Sequence, residues 1–129
     1  MLWSCSDDKD EPISGDALPT QAKAFVAQYF PEAKVVTTYK DKDDYEVVLS
    51  EGTRIDFDKA GEWTDVDAAI GKTIPSGFYS AAIDTYMAVN MKGAGINEIS
   101  KERTGYEVEL TTGAELMFNY EGAFIGYDR

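Results

Sequence analysis

The feature that most constrains this chain is an internal repeat with a fixed offset of 61 residues. Residues 45–67 align without a gap on residues 106–128, and eight of the aligned pairs are identical. A period of this length that occurs twice is typical of a duplicated supersecondary unit rather than of a solenoid. The sequence therefore predicts two similar repeats, residues 17–73 and 74–129, that together form one domain over residues 17–129.

The aligned segment predicts two hairpins in each repeat. Residues 45, 47 and 49 (Tyr, Val and Leu) alternate with residues 46, 48 and 50 (Glu, Val and Ser), which indicates a strand with one buried face. Residues 50–53 fit a two-residue hairpin with a glycine at its second central position, and residues 59–61 fit a three-residue turn with a left-handed glycine. The second repeat has the same two glycines, so we expect the same turns there.

Each repeat also begins with a predicted helix. Leu-Pro at residues 18–19 opens one with apolar residues at helical spacing, and Ile-Pro at residues 74–75 is expected to open the other. One further strand precedes the hairpins, at residues 34–40 and 96–103. The unit is then α-β-β-β-β, twice. This order predicts an α+β fold in which two helices pack on antiparallel sheet and one sheet face stays exposed.

Composition excludes several functional classes. The chain has 24 acidic and 12 basic residues, a net charge of −12, which argues against nucleic-acid binding. It has no histidine, which removes histidine bases, triads and metal ligands, and its single cysteine excludes an internal disulfide. No nucleophile elbow, P-loop or dinucleotide fingerprint is present. We therefore expect a binding domain that is not an enzyme and needs no cofactor.

The first 16 residues predict a structureless linker, because proline, glycine, serine and aspartate dominate them. Leu-Trp-Ser-Cys at residues 2–5 resembles the end of a bacterial lipoprotein signal. The acidic residues 6–11 resemble the tract that follows the cysteine in surface-exported lipoproteins of some Gram-negative bacteria. The resemblance implies that Cys5 carries lipid and anchors the protein to the outer membrane. A free thiol is the alternative, and a reactive one is disfavoured because the neighbouring carboxylates do not stabilise a thiolate.

Two acidic runs of the sequence are candidates for metal sites. Residues 41–46 and 7–11 each contain several carboxylates, but a lysine interrupts both runs and neither has the central glycine of a calcium loop. Both are interpreted as solvated turns, and no metal site is predicted. Glu46 and Glu107 could serve a hydrolase as paired carboxylates, yet the repeat alone accounts for their recurrence.

A candidate binding face follows from strand alternation. If the apolar set faces the helices, the intervening side chains point outward. The outward set consists of Glu46, Val48, Arg54, Asp56, Glu107, Glu109, Glu115 and Met117. Apolar side chains among charges suit a protein interface with an acidic rim that attracts a basic partner. The alternative is a sheet face that only meets solvent.

Residues 17–129 resemble the PepSY-like family, which is also described as similar to beta-lactamase-inhibitory proteins. The similarity lies in the helix after Leu-Pro at residues 18–19, Tyr-Glu-Val at 45–47, Gly-Glu-Trp at 61–63 and Ile-Pro at 74–75. It implies a secreted or periplasmic, non-enzymatic domain with a helix-on-sheet unit occurring twice. In such families PepSY domains are regarded as peptidase regulators, and the inhibitors grip an enzyme with a concave sheet. No inhibitory residue carries over.

The functional hypothesis is therefore an extracytoplasmic module that binds a protein or peptide and inhibits a hydrolase of the peptidase or beta-lactamase type. An accessory lipoprotein that binds a glycan or a small molecule is the alternative, since eight tyrosines and two tryptophans could form a platform. A weak hydrolase is a third reading. An exposed aromatic row on the sheet would favour the glycan, whereas a mixed polar and apolar face would favour a protein.

Overall fold

A computed structural model describes residues 11–128, and within them the chain forms nine β-strands, two α-helices and one 3-10 turn. The first part of the chain contains β1 (Glu11–Ile13), the 3-10 turn (Gly15–Ala17), α1 (Thr20–Tyr29), β2 (Val35–Asp41), β3 (Asp44–Leu49), β4 (Arg54–Phe57) and β5 (Trp63–Asp67). The second part contains α2 (Ala81–Asn90), β6 (Ile96–Lys101), β7 (Gly105–Leu110), β8 (Glu115–Asn119) and β9 (Phe124–Tyr127). The fold is α+β, as predicted.

The strands follow one another in the sheet in chain order, and the sheet is antiparallel. The chain divides into two compact units, of which the first ends at Thr64 and the second begins at Asp65. This division falls within β5, earlier than the boundary at residue 73 that the element order suggested. The two helices, at residues 20–29 and 81–90, recur at the offset of 61 found in the sequence.

The hairpin turns explain why the glycines recur. The Leu49 carbonyl accepts a hydrogen bond from Gly52 N at 3.0 Å, and Leu49 N donates to the Thr53 carbonyl at 2.8 Å. This is a three-residue loop with a left-handed glycine, so the predicted two-residue hairpin is wrong by one residue. The same pattern closes the loops that contain Gly61, Gly113 and Gly122, all with positive φ.

Each helix buries its apolar stripe on its own unit. In the first unit Phe25 of α1 meets Phe57 edge-on, with ring centroids 5.7 Å apart. In the second unit Tyr86 of α2 stacks on Phe124, with centroids 4.7 Å apart. The inward strand positions form the buried core: Val47, Leu49, Ile55, Phe57, Val66, Ile99, Val108, Leu110, Leu116 and Phe118. Alternation along β3, β4, β7 and β8 therefore leaves the opposite side chains on the outer face.

The start of the second helix differs from the prediction. α2 begins at Ala81, where the Ser80 hydroxyl accepts a hydrogen bond from Ala82 N at 3.3 Å. Ile74 and Pro75 belong instead to the preceding connection, in which Ile74 N bonds to the Ile96 carbonyl at 2.9 Å. The expected opening at residues 74–75 is therefore wrong, and Ser80 is the N-cap of the second helix.

The predicted linker is wrong for the part that the structure describes. Residues 11–13 form β1, which pairs with Thr38–Lys40 of β2, and the following 3-10 turn leads into Leu18, a core residue. Backbone pairing with β2 orders this segment, which the composition of residues 1–16 does not indicate. Residues 1–10, including the predicted lipidation site Cys5, lie outside the described part. Neither helix in residues 11–128 is long and apolar enough to cross a membrane.

Candidate functional site: the outer sheet face

The outer face of the first unit carries one half of the predicted binding set. Glu46 and Asp56 lie directly opposite each other on β3 and β4, and Val48 lies opposite Arg54. The Arg54 Nε lies 3.1 Å from a carboxylate oxygen of Glu46, so the glutamate of this face forms an ion pair with an arginine of the same face. Glu46, Val48 and Asp56 are half-buried, and Arg54 is exposed.

A second group of residues extends this first-unit face towards the turn between β2 and β3. Tyr39 lies opposite Glu46, and a cavity of about 220 Å³ opens between them and Asp41, Asp44 and Asp56. The turn itself closes at Asp41 and Asp44 through Lys42, which has a positive φ of 57°. The lysine that interrupts this acidic run is thus also the residue that forms the turn.

The corresponding face of the second unit is acidic. Glu98, Glu109 and Glu115 are directly opposed on β6, β7 and β8, and Asp67 of β5 lies opposite Glu98. Like charges in directly opposed positions repel and destabilise a sheet. With Glu107 and Asp128 they form what we call the acidic face: Asp67, Glu98, Glu107, Glu109, Glu115 and Asp128. Met117, the remaining predicted residue, is half-buried and lies opposite Glu107.

Three of these side chains converge. Single carboxylate oxygens of Glu107, Glu115 and Asp128 all lie within 4.8 Å of one another. Strands β7 and β8 supply the two glutamates, and Asp128 is held beside β8 by a 2.8 Å hydrogen bond from its backbone N to the Glu115 carbonyl. We call these residues the carboxylate trio. They adjoin a shallow cavity of about 110 Å³ lined by four glutamates and Ser100.

Glu107 of the trio holds its proton unusually tightly. A hydrogen bond with the Asp128 side chain, followed by burial and by the charges of Asp128 and Glu115, raises the pKa of Glu107 to about 7. Burial is also the main cause that raises the pKa of Glu98, with the charges of Asp67 and Glu109 acting in the same direction. Crowded carboxylates share protons because they cannot all ionise without repulsion. A cation that enters such a site replaces those protons.

The residue types in the trio select the cations that it can hold. Carboxylate oxygens are hard ligands and suit Ca²⁺ or Mg²⁺ rather than soft metals. Ca²⁺ binds oxygens at about 2.4 Å, so ligands on opposite sides of the ion are about 4.8 Å apart, whereas Mg²⁺ at about 2.1 Å demands a tighter cage. The carboxylate oxygens of the trio lie within 4.8 Å of one another, so their separations are compatible with either ion.

Sequence reasoning placed Glu107 and Glu115 on the outer face but missed the trio. The sequence patterns give Asp128 no role, and the acidic runs that could resemble calcium loops lie at residues 7–11 and 41–46. A usable signal was present in the repeat alignment itself: Glu46 and Arg54 correspond to Glu107 and Glu115. The first repeat has an arginine, and the second a glutamate, at the position beside this pair of equivalent glutamates, Glu46 and Glu107.

Comparisons with known proteins give a consistent family. The family model described as "Putative beta-lactamase-inhibitor-like, PepSY-like" matches residues 2–53 and again residues 43–126. Two overlapping matches to one model suggest the tandem duplication. A comparison with curated proteins found no match.

Several solved structures are similar over nearly the whole chain. A crystal structure from Bacteroides thetaiotaomicron, described as a "putative calcium-regulated periplasmic protein", is 32% identical with a TM-score of 0.88, and the match covers 97% of this chain and 100% of that one. Two periplasmic proteins from Bacteroides vulgatus are 32% and 31% identical, with TM-scores of 0.85 and 0.87. The matches cover 95% and 93% of this chain, and 98% and 99% of theirs.

Proposed function

This chain belongs to the PepSY-like family, and from that premise we propose that it is a non-enzymatic periplasmic binding module regulated by calcium. In this proposal the acidic face of the second unit takes up Ca²⁺ at the carboxylate trio. The observation that carries the proposal is the convergence of the Glu107, Glu115 and Asp128 carboxylates on one face. A relative that shares 32% identity is described as calcium-regulated, which supports the choice of ion.

The site is expected to be weak and regulatory. The trio gives three carboxylates, and water would complete the six to eight oxygens that Ca²⁺ requires. Modules outside the cytoplasm commonly bind calcium with dissociation constants of about 0.1–1 mM. Bound Ca²⁺ would displace the proton that Glu107 holds near neutral pH. Calcium binding should therefore release protons and become tighter as the pH rises.

The experiment is a calorimetric titration of CaCl₂ into the protein, repeated with MgCl₂. We expect about one Ca²⁺ per chain and weaker binding of Mg²⁺. Glu107→Gln should abolish most of the Ca²⁺ heat. Glu121→Gln is the matched control, because Glu121 is an exposed glutamate of the same unit in the turn after β8. If the two variants bind Ca²⁺ equally well, the calcium site is not at the trio.

The partner in this proposal is a basic segment of a protein or peptide, including a hydrolase of the peptidase or beta-lactamase type that the module would inhibit. Supporting observations are the description of the family and the half-buried Met117 among the charges of the acidic face. Because Ca²⁺ lowers the negative charge of that face, it should weaken capture of a basic partner. A glycan platform has less support, since the cavity of the acidic face is lined by glutamates and a serine rather than by aromatic rings.

Capture can be measured by cross-linking from a periplasmic extract, with and without Ca²⁺. Met117→Asp should lower capture without a loss of fold, and Val48→Asp tests the first-unit face separately. If neither substitution changes capture, the outer sheet face is not the interface. If Ca²⁺ has no effect on capture while it binds to the trio, the regulatory part of the proposal fails alone.

The proposed location is outside the cytoplasm, because the similar proteins are described as periplasmic. We extend this to a lipid anchor at Cys5 in the outer membrane of a Gram-negative bacterium, and to an origin of the two units by tandem duplication. Mass spectrometry of the membrane fraction from cells that express the full-length gene tests the anchor. The expected product is a diacylated chain that begins at Cys5, and an unmodified Cys5 in protein recovered free of membrane would refute it.

A further inference from the structure

The first unit has an apolar groove on its inner, helix-bearing side, and this groove is separate from the outer sheet face. It runs between α1 and the start of β2, and its volume is about 370 Å³, within the range of small-molecule sites. Its lining is mainly apolar and includes Leu18, Val26, Ala27, Phe30 and Val35. Val35 is 41% exposed, although it is a large apolar residue.

The second unit has the corresponding groove, but its own side chains occupy part of it. The corresponding cavity is smaller, about 210 Å³, and it is lined by Tyr79, Asp84 and Met87 at the positions of Leu18, Lys23 and Val26. The Tyr79 hydroxyl donates a 2.7 Å hydrogen bond to Asp84 across this space. Burial and this hydrogen bond raise the pKa of Tyr79, so the phenol keeps its proton and remains the donor.

Two of the exchanges between the grooves change what each groove can bind. The first groove has Leu18 at the position of Tyr79, so it lacks the ring and hydroxyl that occupy the second groove. It has Lys23 at the position of Asp84, so the charge beside that hydroxyl position is reversed. The first groove thus lacks the second groove's internal filling and presents a cation instead of an anion. A complementary ligand must supply an apolar body and a negative end.

We propose that the groove of the first unit binds an apolar carboxylate, a small molecule with a hydrocarbon chain and one terminal carboxylate. The chain would lie along Leu18, Val26 and Phe30, where apolar surface is removed from water. The carboxylate would accept hydrogen bonds from Lys23. The Lys23 ammonium already donates to the Asp16 carbonyl at 3.2 Å, which positions it and leaves two N–H donors for the ligand.

The test is a titration of sodium decanoate into the full chain, below micelle-forming concentrations, with binding followed by calorimetry and by amide chemical shifts. We expect shifts at Val26, Phe30 and Val35, and none at Met87 or Ile96 in the second groove. Lys23→Met should weaken decanoate binding about five-fold, since an exposed ion pair contributes up to about 1 kcal/mol. It should leave the binding of decanol unchanged.

Two further variants keep the result decisive. Leu18→Tyr combined with Lys23→Asp copies the filling of the second groove and should abolish binding. Lys59→Met removes an exposed lysine from a turn of the same unit and should change nothing. The proposal is overturned if decanoate does not bind to the unaltered chain, if its shifts map outside this groove, or if Lys23→Met and Lys59→Met bind it equally.

Discussion

The two units share a scaffold but differ on their outer faces. In the first unit Thr37, Val48 and Arg54 lie opposite one another across three strands, and Arg54 forms an ion pair with Glu46. At the matching positions the second unit has three glutamates, Glu98, Glu109 and Glu115. The first unit supplies a cation from its own sequence, whereas the second concentrates negative charge. Two units with the same order of helices and strands can thus carry different charge patterns on the same face.

The largest expected effect on stability concerns a feature that both units share, the turn that packs against the start of each helix. A β-carbon on Gly61 would lie 2.9 Å from Pro19 Cβ and 3.0 Å from Ala22 N, at a φ of 93°. Gly61→Ala should therefore lower the free energy of unfolding by about 3 kcal/mol, from backbone strain and overpacking together. Gly113→Ala has the same φ requirement but meets open space, so it should cost only about 1 kcal/mol.

Chemical denaturation measures both changes. Gly122, which packs against Ser80 and Ala82, should behave like Gly61 if the helix seats of the two units are equivalent. If Gly61→Ala lowers the free energy of unfolding no more than Gly113→Ala does, the helix does not pack against this turn.

The next effect tests the difference between the faces directly. Glu115→Arg gives the second unit the glutamate–arginine pair of the first. It should raise the free energy of unfolding by about 1 kcal/mol at pH 8, because it removes a repelling carboxylate and adds an exposed ion pair. Glu121→Arg changes the charge of the chain equally but lies away from the acidic face. Equal stabilities for the two variants would mean that repulsion on the acidic face is negligible.

The raised pKa of Glu107 predicts a pH dependence. Its folded-state pKa of about 7 lies above the ordinary value of 4.5, so between these values the folded state binds more protons than the unfolded state. Stability from this group is present in full below pH 4.5 and is lost as the pH rises through 7. Denaturation curves from pH 5 to pH 8 should show this decline, and Glu107→Gln should flatten it. An equally steep decline in the variant would assign it to other groups.

The smallest effect is expected on the first-unit face. Arg54→Gln removes the exposed ion pair with Glu46 and should lower the free energy of unfolding by about 0.5 kcal/mol. Arg54→Glu adds the repulsion between two glutamates to this loss, and thermal melts at low and high salt measure both variants. A loss that salt does not reduce would point to packing of the arginine stem rather than to its charge.

The sequence predicted the parts of the fold that recur in both units better than the parts that occur in one unit alone. The alternation at Tyr45–Leu49 and the paired glycines identified strands and turns, because these follow from local periodicity and from φ requirements. β1 was missed because it owes its order to backbone pairing with β2 rather than to its side chains. The carboxylate trio depends on strand register and on where Asp128 falls beside β8, which local patterns do not encode.

The most direct test of the account is a calcium titration of the reciprocal charge exchange. The unaltered chain should bind about one Ca²⁺, and binding should disappear in Glu115→Arg, where a guanidinium takes the place of the metal. Arg54→Glu should retain the binding of the unaltered chain, because the carboxylate trio of the second unit is intact. Calcium binding that persists in Glu115→Arg, or that is lost in Arg54→Glu, would contradict the assignment of the cation site to the acidic face.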